Sequence, residues 1–123
     1  MESDTTKAIE VAVRTAMQSN RTDFDSLRKQ YQAGDTILLT TDSLPLADLP
    51  DRVDSIPLKI INHEQLCAAD TIADQSEDYL YIRAFAKNDT GYYVSVQRLN
   101  CQRASNGEAM GVFIAKRKTK GHR

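Results

Sequence analysis

The run Tyr79-Leu80-Tyr81-Ile82-Arg83-Ala84-Phe85-Ala86-Lys87 is followed by Asn88-Asp89-Thr90-Gly91 and then by Tyr92-Tyr93-Val94-Ser95-Val96-Gln97-Arg98-Leu99-Asn100-Cys101. Side chains alternate sides along an extended chain, so each run divides into two faces. In the first, Leu80, Ile82, Ala84 and Ala86 read as core, while Tyr79, Tyr81, Arg83, Phe85 and Lys87 point the other way. In the second, Tyr92, Val94, Val96 and Arg98 oppose Tyr93, Ser95, Gln97, Leu99 and Cys101. Gly91 reads as the residue of the joining loop that takes a positive φ. Asn106-Gly107 is a two-residue hairpin signal, because a type I′ turn needs positive φ at both central positions. It leads into Ala109-Met110-Gly111-Val112-Phe113-Ile114-Ala115-Lys116, so Tyr79 to Lys116 reads as a three-stranded antiparallel meander.

Upstream, Ser3 or Asp4 can cap a helix whose apolar face is Ile9, Ala12, Val13, Ala16 and Met17, running to about Asn20. Thr22 restarts a helix carrying Phe24, Leu27 and Tyr31, which Gly34 ends. Thr36 to Thr41 is a strand without clean alternation, which implies cover on both of its faces. Pro45 and Pro50 forbid a regular helix between Asp42 and Asp54, and Leu44, Leu46 and Leu49 there suit a loop packed over the core or lining the mouth of a cavity. Ile56 to Ile61 is a second strand. Asn62 and Gln65 have capping-box spacing for a short helix ending near Asp74, with an irregular connection as the alternative.

The expected fold class is α+β, with N-terminal helices packed on a curved antiparallel sheet of four to five strands that ends in the meander. By element order alone the chain resembles the cone-shaped folds of the nuclear-transport-factor-2 type (NTF2-like), or the helix-on-sheet cystatin-like architecture. The resemblance implies helices lying across a curved sheet. Residues 1–115 are expected to form one domain and 116–123 a basic tail, since 123 residues match the usual size of one domain.

The composition, 41% hydrophobic and 27% charged, excludes a disordered or repeat chain. The formal net charge is −1, but Lys116, Arg117, Lys118, Lys120 and Arg123 crowd the last eight positions; residues 1–115 keep 11 basic against 17 acidic residues, a balance of −6. Such a tail finds phosphate or an acidic partner, or keeps a terminal strand soluble. No apolar run is long enough for a membrane helix, and Met1 to Thr6 lacks the pattern of a signal peptide. The expectation is a soluble protein, cytoplasmic if that N-terminus is native and otherwise secreted or periplasmic. Cys67 and Cys101 are read as two buried free thiols, with one disulfide as the alternative.

No nucleophile elbow, phosphate loop or dinucleotide fingerprint is present, and Cys67 stands where H-E-x-x-H would need its second His. No catalytic residue, cofactor or metal is therefore assigned. His63 could act as a base beside Asp70, Asp74 or Asp78, and His63, Cys67 and Asp70 share one helical face, but a surface His and a small buried Cys are the simpler readings. The candidate ligand-binding set is Tyr79, Tyr81, Arg83, Phe85, Tyr93, Ser95 and Gln97, aromatic rings beside one guanidinium and a few hydrogen-bonding groups. Nucleic acid is not the expected partner, since the body is acidic and the sheet lacks the basic-aromatic pattern of an RNA-recognition strand. The function expected is a non-catalytic binding or accessory domain, holding a small molecule or a protein partner on its sheet face, with a homodimer compatible with that face. The alternative is a small pocket enzyme of the lyase, isomerase or hydrolase kind with an Arg- and Tyr-lined cavity.

Overall fold

A computed structural model describes residues 3–62, 78–100 and 109–115. Ser3 caps the first helix, α1 (Asp4–Gln18), by accepting from the Thr6 backbone N–H at 3.1 Å. A single 3-10 turn, Thr22–Phe24, leads into α2 (Asp25–Ala33), which ends at Gly34 with φ 79°. That left-handed residue is where a side chain would be strained.

Six strands follow among the described residues: β1 (Ile37–Thr41), β2 (Arg52–Val53), β3 (Ile56–Ile60), β4 (Asp78–Lys87), β5 (Gly91–Asn100) and β6 (Met110–Ala115). They form one curled sheet in the order β2-β3-β1-β4-β5-β6. The sheet is mixed, which corrects the expectation of an antiparallel sheet of four to five strands. β1 lies in its interior and runs parallel to both β3 and β4, while β2-β3, β4-β5 and β5-β6 are antiparallel. Every residue of β1 is buried, as expected of a parallel strand covered on both faces. The continuous apolar run revealed the cover but not which strands flank it. β2 was missed within the Asp42 to Asp54 segment because two residues are too short for any alternation to show. The same segment does put Leu49 in the core, with Leu44 and Leu46 packed against it.

Ile9, Ala12, Val13, Ala16 and Met17 of α1, with Phe24 and Leu27, bury themselves against Ile37, Leu39, Leu80, Ile82, Val94, Val96 and Val112. Hydrophobic burial on this scale is the main favourable term in the fold. Polar straps fix the helices over the sheet. Asp54, in the turn between β2 and β3 at φ 55°, accepts from Arg14 Nε at 3.0 Å and from the Tyr31 hydroxyl. The bond from Tyr31, and then the Arg14 guanidinium, hold the Asp54 carboxyl below its ordinary range. Asp78 accepts from Asn100 Nδ2 at 2.7 Å and from the Ser26 hydroxyl, and Arg98 Nε donates to the Asp23 carbonyl at 2.6 Å.

The alternation read from sequence breaks at one place. β4 carries a bulge between Ile82 and Ala84, so Ile82 pairs with Val96, whereas Ala84 pairs with Ser95 and Phe85 with Val94. One extra residue, Arg83, exchanges the faces of everything after it. Phe85 therefore packs against the core under the helices, its ring centroid 6.0 Å from that of Tyr92. Lys87 moves to the same face, paired with Tyr92. Ala84 and Ala86 move to the outer face.

A further expectation is corrected at Gly91, whose φ is not positive. The Asn88 side chain organises the loop, its Oδ1 accepting from the backbone N–H of Thr90 and of Gly91. Glycine is needed at 91 for close approach: a Cβ there would stand 2.3 Å from the Ile114 carbonyl oxygen. The predicted short helix after Asn62 and the Asn106-Gly107 turn lie outside the described residues.

Candidate functional site

The bulge is held by hydroxyls from the end of β1. Thr41 Oγ1 donates to the Ile82 carbonyl at 2.8 Å, and Ser43 Oγ donates to the Arg83 carbonyl at 2.9 Å. Between them, Asp42 Oδ1 accepts from the Tyr81 hydroxyl at 2.5 Å. Three consecutive polar residues thus clasp three consecutive residues of the neighbouring strand. Burial, and then the bond to the Asp42 carboxylate, push the Tyr81 phenol up to about 12. Tyr81 remains a neutral donor at ordinary pH, committed to Asp42.

Of the seven residues selected from sequence, six share the outer half of the sheet and one does not. Tyr79 is buried there with Leu38, flanked by Ile61, Tyr81 and Leu99, and burial raises its phenol pKa. Ser95 is buried, Gln97 is half-buried beside Tyr81 as its cross-strand partner, and Arg83 is exposed at the bulge. Phe85 is the exception, placed on the helix side by the bulge. Tyr93 and Phe113, cross-strand partners, are 44% and 56% exposed.

These last two rings lie down on the sheet. A Cβ added at Gly111 would meet the Tyr93 hydroxyl oxygen at 2.5 Å, and one added at Gly91 would meet the tip of the Phe113 ring at 2.8 Å. Each ring covers the glycine diagonal to it, a device that shields bare backbone in strands. The outcome is a flat aromatic patch over β5 and β6. Sequence reasoning selected Tyr93 but not Phe113, although alternation along Met110 to Ala115 places Phe113 on the same row.

Across the sheet, on the helix side, a cleft of about 670 Å³ opens between the first two turns of α1 and the far end of the meander. Lys7, Ala8 and Val11 form one wall, and the cross-strand row Lys87, Tyr92 and Ile114 forms the other. None of these residues was selected from sequence. The spacing of Asp4, Lys7, Ala8 and Val11 marks one helical stripe, but what it faces depends on the bulge.

His63, Cys67, Asp70, Asp74 and Cys101 lie outside the described residues, and so does the basic tail. Among the described residues there is no group of three or more His, Cys, Asp or Glu side chains placed to hold a metal ion. No helix among them is long and apolar enough to cross a membrane. Comparison with protein-family models, with curated proteins and with solved structures finds no match to this chain.

Proposed function

We propose that the protein is a non-catalytic binding domain that takes a protein partner along β6 and on the aromatic patch beside it. The observation that carries this reading is the combination of Tyr93 and Phe113, the large apolar side chains left exposed among the described residues, with a sheet edge at β6 that no other described strand pairs with. β6 is the outermost of the described strands, and Met110 to Ala115 contains no charged residue and no proline to discourage pairing. An extended segment of a partner gains ladder hydrogen bonds there and apolar contact from the rings.

A second copy of the chain fits this surface. Antiparallel self-pairing centred on Val112 sets Met110 against Ile114 and Gly111 against Phe113, so the apolar rows on both faces continue across the seam, and the contact closes with two-fold symmetry. The pocket-enzyme alternative has less support, because Tyr81 is committed to Asp42 and Phe85 faces away from Tyr93. Two helices on a curled sheet also favour the cone-shaped NTF2-like reading of the architecture, with the cleft beside α1 as the mouth of the cone.

Light scattering across a dilution series tests the self-pairing. The expected result is a dimer that Phe113→Lys converts to a folded monomer. A wild-type monomer at every concentration would overturn the choice of a second copy as the partner.

A further inference from the structure

We infer that the cleft between α1 and the end of the meander binds a small anion with an apolar body, of the carboxylate class. This site lies on the helix side of the sheet, across from the aromatic patch, and shares only the β6 end, Ile114 and Ala115, with the partner surface.

The cleft volume, about 670 Å³, lies within the range of small-molecule sites. Its composition is amphipathic in a particular way. Lys7 stands on α1 and Lys87 at the end of β4, so an exposed lysine is contributed from each of the two walls. Neither makes an ion pair with another described residue. Among the described lining residues Asp4 is the one carboxylate, which leaves them a net positive charge of one. Between the charges lie Ala8, Val11, the Tyr92 ring and Ile114, and Phe85 backs Tyr92 from the core side. A monoanion would find charge-assisted donors at the mouth, and its hydrocarbon part would leave water against the apolar walls. A neutral apolar molecule would leave both lysines unused, and a small inorganic anion would leave the walls unfilled.

The site owes its chemistry to the bulge. Without the extra residue between Ile82 and Ala84, strict alternation would turn Lys87 and Phe85 to the outer face and present Ala86 in this row. The cleft would keep its helix wall and lose half of its positive charge. A feature held by the Thr41 and Ser43 hydroxyls thus determines the sign of a cleft at the other end of the strand.

The test is a titration of the intact protein with octanoate, followed by backbone amide NMR shifts, with octanamide as the neutral counterpart. Shifts are expected at Val11, Lys87, Tyr92 and Ile114, with octanoate binding more tightly than octanamide. The double variant Lys7→Gln/Lys87→Gln, which alters exposed side chains only, should weaken octanoate by about tenfold and leave octanamide unchanged. Ala8→Trp, filling the cleft, should abolish both. Equal affinity for the two probes, or octanoate affinity unchanged in the double variant, would overturn the anionic assignment. The absence of any shift in the four named residues would overturn the site itself. Loss of self-association in Phe113→Lys bears on neither outcome.

Discussion

Truncating Phe85 to Ala separates the face assignment made by the bulge from the one made by simple alternation. A phenylalanine wholly inside a core loses about 3–5 kcal/mol on this change. Phe85 is half-buried, but it packs on the core cluster and shares a tilted ring contact with Tyr92. About half the full cost, roughly 2 kcal/mol, is the expected loss, including the aromatic pair. For a domain of this size that corresponds to a fall in Tm of roughly 8 °C. Urea unfolding should show a lower midpoint with an unchanged slope. Phe113→Ala is the control: its ring is 56% exposed, and its truncation should cost under about 0.5 kcal/mol. Both variants are measured at low protein concentration, where self-association adds nothing to apparent stability. If Phe85→Ala falls within about 0.5 kcal/mol of wild type, or costs no more than Phe113→Ala, the inward placement of Phe85 is refuted.

The two strand glycines predict opposite outcomes for the same substitution. Gly91→Ala puts a Cβ against the Ile114 backbone oxygen, which cannot move without breaking the β5-β6 ladder, so a loss of about 2 kcal/mol and faster amide exchange across β6 are expected. Gly111→Ala meets the exposed Tyr93 ring first, which swings off the strand, so stability should change by less than about 0.5 kcal/mol while tyrosine fluorescence shifts. Titration of Tyr81 gives a pH signature. Because its folded pKa is raised, to about 12 from 10.0, its contribution is fully present below pH 10.0 and is lost as pH rises through about 12. Tyr81→Phe should remove that part of the alkaline decline in unfolding free energy; an identical decline in the variant would refute the raised pKa that burial and the Asp42 bond give Tyr81.

Both helices and every described strand except β2 were legible in the sequence because their causes are local. The helix face from Ile9 to Met17, the Ser3 cap, the left-handed Gly34 and the strand runs from Tyr79 and Tyr92 all depend on neighbours within a few residues. The same holds for the leucines of the Pro45 to Pro50 loop, whose apolarity marked them as packed. What tertiary structure alone decided is nonlocal. The interior place of β1 and its parallel pairing depend on where β3 and β4 dock, and a buried apolar run looks the same beside either kind of neighbour. The bulge depends on Thr41 and Ser43, about forty residues away along the chain, satisfying the carbonyls of Ile82 and Arg83. Since strand side chains repeat every second residue, that single insertion reassigns Phe85 and Lys87 together. It divides the aromatic set read from the sequence, keeping Tyr79, Tyr81 and Tyr93 on the outer face and sending Phe85 to the core. It also places Lys87 opposite Lys7 across a cleft that no spacing in the chain could announce.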